Sequence, residues 1–100
     1  MNITYRTDKN ILYVAIEGRI DASNAALAEE QIFAIRKANE GKHTVIDADN
    51  LEYISSAGLR VLLAAQKTMN RQGDMVVRHV NETIAEIFDV TGFSDILTIE

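Results

Sequence analysis

The sequence contains no cysteine, so neither disulfides nor thiolate metal sites contribute to it. It also lacks proline and has only five glycines. With so few chain breakers there is no room for a linker, and Gly18, Gly41, Gly58, Gly73 and Gly92 punctuate the chain at element boundaries. No apolar run approaches the ~20 residues needed to cross a bilayer. The opening Met1-Asn-Ile-Thr-Tyr-Arg6 lacks the long apolar core of a signal peptide. Positive charge is in the minority, with 10 Lys and Arg against 15 Asp and Glu and a net charge of -5. No basic cluster stands out to neutralise phosphates, which argues against a nucleic-acid binder. There is no glycine-rich phosphate loop to suggest a nucleotide cofactor, and no internal repeat or low-complexity tract. These absences lead us to expect one cytoplasmic domain over residues 1–100, without cofactor, nucleic acid or membrane.

What is present supports a packed core. The chain is 47% hydrophobic and 25% charged, ordinary for a globular protein, and its 100 residues can bury a core without staples. Ile3–Thr7 and Ile11–Ile16 read as strands, rich in β-branched and aromatic residues, around a polar turn at Asp8-Lys-Asn10. Ser23 or Asn24 is placed to cap a helix running to about Asn39, with Ala28, Ile32 and Ile35 as its apolar stripe. Gly41 closes it. His43–Ala48 is a buried-type strand. A second helix is expected from about Ser56 to Arg71, with Leu59, Leu62, Leu63 and Met69 inward and Gly73 at its end. Met75–Val80 reads as a strand, and Asn81 caps a short helix carrying Ile84, Ile87 and Phe88 and stopped by Gly92. Ile96–Ile99 reads as a last strand. Strand and helix alternate from Ile11 onward, which predicts an α/β fold: a mixed, mostly parallel sheet of about five strands with helices mainly on one face.

The most informative stretch is Asp47–Leu62, where a strand feeds a short polar turn and then two adjacent serines at a helix start. Backbone N–H groups there are unpaired and lie at the positive end of the helix dipole. An anion added to Ser55 or Ser56 would be tolerated, while the surface charge would change. A phosphorylation switch is one reading of the pair, and simple capping by one serine is the other. Arg60, one turn past Ser56, is placed to pair with a phosphoserine or with a partner carboxylate.

Other chemistries find less support. Ile54-Ser-Ser-Ala-Gly58 lacks the leading glycine of a nucleophile elbow, so serine hydrolysis with His79 is disfavoured. Asp47, Asp49 and Glu52 are oxygen ligands in principle, but without calcium-loop spacing they read as a solvated acidic turn. His43 and His79 sit in or beside strands and read as packed or surface residues; no metal site is expected. Asp21, after the second strand, should lie at the same end of the sheet as the serines, where such sheets build their sites. A partner contact is favoured there over helix capping.

Leu51-Glu-Tyr-Ile-Ser-Ser-Ala-Gly-Leu59 resembles the signature of the bacterial anti-sigma factor antagonists, the single-domain members of the STAS family. Gly18-Arg-Ile-Asp21 is similar to that family's turn after its second strand. Asp74–Arg78 with Ile87–Phe93 resembles its fourth strand and the end of its third helix. The resemblance spans nearly the whole chain, and it implies the same fold. It places the family's phosphorylated serine, two residues before the Gly-Leu pair, on Ser56, with Ser55 as second candidate. It also places the family's exposed aspartate on Asp21. The chain departs from the family pattern in having Ser55 where Asp is usual and Ala57 where a small hydroxyl residue is usual. The implied partner surface is Asp21, Ser55, Ser56, Ala57, Gly58, Leu59 and Arg60. The implied function is non-enzymatic. Unphosphorylated, the protein, a monomer when alone, binds an anti-sigma factor that is also a serine kinase, and frees a sigma factor. A PP2C-type phosphatase resets it. The alternative is a non-switching STAS scaffold or subunit, stressosome-like or transporter-associated.

Overall fold

The computed structural model describes the backbone of residues 1–72 and 74–100, and the side chains of residues 1–68 and 74–100. Strand β1 (Asn2–Asp8) turns at Lys9 and Asn10 into β2 (Ile11–Ile20), and the two pair antiparallel from Asn2↔Glu17 to Asp8↔Ile11. Helix α1 (Ala25–Ala38), β3 (His43–Asp47), β4 (Leu51–Ile54), α2 (Ser56–Gln72), β5 (Met75–Arg78) and α3 (Glu82–Thr91) follow. A short 3-10 turn, Phe93–Asp95, comes last. The sheet runs β1-β2-β3-β5, with β4 pairing β2. All pairs except β1–β2 are parallel.

The burial of β2 has the period of two of a strand packed on one face. Leu12, Val14 and Ile16 are essentially inaccessible, while Tyr13 and Ala15 between them are half-buried on the other face. The inward residues meet Ala28 and Ile32 of α1, Leu59, Leu62 and Ala65 of α2, and Ile84 and Phe88 of α3 in one core. The three helices therefore cover one face of the sheet. Val45 and Val76, paired in register across β3 and β5, are buried outside that cluster.

Several local expectations are corrected. The second strand does not end at Ile16, and Gly18–Asp21 is not a simple turn. Gly18 has φ +89 at a register shift, where β2 leaves β3 and begins to pair with β4 (Gly18↔Leu51, Arg19↔Tyr53, Ile20↔Ile54). A left-handed φ is strained for residues with a Cβ, so glycine belongs at this bulge. The stretch before the serines is not wholly a polar turn, because Leu51–Ile54 forms β4. Leu63 is half-buried, and Val61 and Ala65 join Leu59 and Leu62 in the core instead. Met69 and Gly73 lie outside the described side chains and backbone. The segment Ile96–Ile99 makes only a single bridge, Val77↔Ile99, because the 3-10 turn at Phe93–Asp95 uses the residues that would lead into a longer strand.

At the start of α3 the expected cap is present, and it does two jobs. The Asn81 Oδ1 accepts the Ile84 N–H at 2.9 Å, and its Nδ2 donates to the Leu51 carbonyl at 2.7 Å. The side chain thus satisfies a helix-end donor and ties α3 to β4. Asn81→Ala is expected to lower stability by about 1–2 kcal/mol, the upper part of the range for a lost cap. Thermal unfolding checks this, with a fall of about 4–8 °C per kcal/mol in a domain of this size.

Candidate functional site

The parallel strands β2 and β4 end side by side, and the chain leaves both in the same direction. The Ser55 N–H donates to the Ile20 carbonyl at 2.9 Å, which brings the β4–α2 junction against the β2–α1 loop. Asp21 follows Ile20 directly and Ser56 follows Ser55, so this one bond places the sequence-derived site residues at a single end of the sheet. This is the end at which parallel sheets build sites.

The two serines have different jobs. Ser55 is half-buried, and its Oγ accepts the Gly58 N–H at 3.3 Å while its carbonyl accepts the Leu59 N–H at 2.9 Å. This is N-cap geometry, which pairs one of the helix's orphan donors. Ser56 is the first residue of α2 and is exposed. Among the described residues its hydroxyl makes no hydrogen bond. Arg60 is exposed one turn further on.

The remaining members of the implied surface are placed less uniformly. Ala57 is half-buried and packs against the core, whereas Gly58 and Leu59 are buried. A Cβ at Gly58 would stand 2.6 Å from Ile54 Cγ1 and 2.8 Å from Ile20 Cγ2. Gly58 and Leu59 therefore seat the helix on the sheet ends and fix where Ser56 and Arg60 stand.

The β2–α1 loop is built differently from the expectation that Ser23 or Asn24 caps α1. Asn24 occupies the cap position, but its side chain caps no helix N–H. It is drawn into the loop instead: its Nδ2 donates to the Arg19 carbonyl and its Oδ1 accepts the Asp21 N–H, both at 2.9 Å. The Asp21 carbonyl receives the Ala25 N–H at 2.9 Å. The Asp21 carboxylate accepts the Ser23 hydroxyl and, at 2.9 Å, the Ser23 N–H. These bonds hold the Asp21 carboxyl below its ordinary range, the Ser23 hydroxyl contributing most. Asp21 is thus negative at neutral pH and oriented, and it shapes its own loop as well as presenting charge. Arg19, whose guanidinium lies 4.5 Å from the Tyr53 ring centroid, adds to the lowering from close by.

The acidic turn has an internal use. One Asp47 carboxylate oxygen accepts the Asp49 N–H at 3.0 Å and lies 3.1 Å from His79 Nδ1. Among the described residues no group of three potential ligands is arranged to hold a metal ion. No helix among them is long and apolar enough to cross a membrane.

The family model described as STAS domain matches residues 2–100. The chain belongs to the STAS domain family. Several curated relatives are named anti-sigma factor antagonists. The anti-sigma-B factor antagonist of Listeria monocytogenes is 30% identical over 94 residues, covering 93% of this chain and 82% of that protein. The crystal structure of an anti-sigma factor antagonist from Mycobacterium paratuberculosis matches this STAS domain with a TM-score of 0.86 at 20% identity, over 98% of this chain and 83% of the other. The Bacillus cell fate determinant SpoIIAA in its phosphorylated form matches with a TM-score of 0.70 at 13% identity, over 99% and 91% of the two chains. The α/β arrangement expected from the alternation of elements is found, and it is the STAS fold that the resemblance implied.

Proposed function

We propose that the protein is a cytoplasmic, non-enzymatic anti-sigma factor antagonist switched by phosphorylation of Ser56. Unphosphorylated, it binds an anti-sigma factor that is also a serine kinase, and a sigma factor is released. The observation that carries this reading is the division of labour between the serines. Ser55 is committed to capping α2, and Ser56 is left exposed at the first helical position. The structure of a relative in a phosphorylated form supports it further.

In the modification, the bond from Ser56 Oγ to the γ-phosphorus forms as the bond to the β,γ-bridging oxygen breaks. The hydroxyl proton is lost and ADP leaves. ATP and magnesium belong to the kinase. The product adds about -1.5 to -2 charges at the helix start. The helix dipole and unpaired N–H groups accommodate that charge, so the fold persists. A partner carboxylate facing the same spot is repelled, and the contact is lost. A PP2C-type phosphatase restores the hydroxyl.

Pull-down of the anti-sigma factor followed by phosphosite mapping with ATP and magnesium tests this. One phosphate is expected, lost in Ser56→Ala and retained in Ser55→Ala. The second variant remains folded although its cap is gone, at a cost of about 1 kcal/mol. Labelling that follows Ser55 would overturn the assignment. A partner held without any labelling would point to a non-switching scaffold.

A further inference from the structure

The helix that carries Ser56 is cationic within an acidic protein. From Ser56 to Gln72 the sequence has Arg60, Lys67 and Arg71 and no acidic residue, against a net charge of -5 for the whole chain. Residues four apart on a helix stand one above the other, and the favourable order puts the anion on the N-terminal side. Ser56 and Arg60 have that spacing and that order. Both are exposed, and among the described residues Arg60 has neither an ion pair nor a hydrogen bond.

We propose that a phosphate on Ser56 captures the guanidinium of Arg60 on the same helix. Modification then acts twice on the docking surface: it adds negative charge, and it withdraws the cation that the unphosphorylated helix presents to a partner. The inference rests on the reading of Ser56 as the phosphoacceptor.

The neighbouring charges define the alternatives. Asp21, across the Ser55–Ile20 bond, repels the phosphate. Arg19 is stacked over Tyr53 and sits near Asp21. Lys67 shares the stripe with Ser56, but at 1.5 Å per residue it lies about 16 Å along the axis, out of reach. Arg60 is the cation within one turn. Its planar fork suits phosphate oxygens, and no carboxylate on α2 competes for it.

The test uses the full chain with phosphoserine installed at position 56 during synthesis, so no kinase is needed. Phosphorus NMR follows the second ionisation of the phosphate against pH. A neighbouring cation favours the dianion and lowers that pKa. Arg60→Gln is expected to raise it by about 0.3 units, the equivalent of one such helical pair. Arg60→Lys should recover part of the difference, and Lys67→Gln should leave the native value unchanged. The Arg60 Nε–H resonance should move with the same midpoint. Identical titrations in the native chain and Arg60→Gln would overturn the capture. So would an equal rise in Lys67→Gln, which would show only the general field of the helix. Failure of kinase labelling at Ser56 would instead sink the functional reading, and the two failures are separable because the phosphate here is introduced without the kinase.

Discussion

Ser56→Asp is expected to fold as the native chain does and to bind its anti-sigma factor roughly 30-fold to several thousand-fold more weakly. Folding is spared because Ser56 is exposed and outside the core, and the cap is the neighbouring Ser55. A carboxylate in the first turn of a helix is stabilising by ~0.3–1 kcal/mol, so the melting temperature should hold or rise slightly. The first turn of α2 contains no acidic residue to oppose it. Binding suffers because an uncompensated charge enters the contact surface, where like-charge juxtaposition costs several kcal/mol. Calorimetric titration and a melting curve on the same sample check both halves. A destabilised variant with unchanged affinity would contradict each of them.

Gly58→Ala should damage stability and binding together. In an open helix position alanine is favoured over glycine by up to ~1 kcal/mol. Here its methyl group would meet two β-branched side chains, Ile54 and Ile20, at 2.6 and 2.8 Å. Both are almost wholly buried and stiff at χ1, so neither can swing aside. Overpacking of this kind typically costs ~1–3 kcal/mol and is relieved by moving the helix. The helix start is where Ser56 and Arg60 stand, so partner affinity should fall without either residue being changed. Denaturant unfolding and the binding titration together read this out. Native stability with native affinity would mean that the sheet ends yield more easily than the contact distances imply.

The elements legible in the sequence were those set by local chemistry. Asn81 before Ile84 and Phe88, with Gly92 beyond, gave α3 with both ends, and the structure has Asn81 as cap and Gly92 at φ +80. The β-branched and aromatic enrichment of Ile11–Ile16 marked the first part of β2 as a strand. Features that depend on distant chain were not legible. Leu51–Ile54 becomes a strand because the bulge at Gly18 turns β2 toward it, and four residues following a polar turn carry no pattern of their own. Asn24 looked like a cap because a side-chain amide at a helix start often is one. Its donation to the Arg19 carbonyl depends on a loop path that composition does not reveal. At the site itself, spacing alone left Ser55 and Ser56 equivalent. Which serine caps is decided by where the backbone first becomes helical, and the Ser55–Ile20 bond fixes that point one residue after the strand.

One phosphate on Ser56 is expected to break the complex, and the affinity of one preparation before and after modification measures this. The protein is titrated with its anti-sigma factor in the absence of ATP, then phosphorylated to completion, repurified and titrated again. Tight binding is expected first and at least a 30-fold loss afterwards, restored by phosphatase treatment and absent in Ser56→Ala. Equal affinity in the two states, with mass spectrometry showing Ser56 fully phosphorylated, would contradict it.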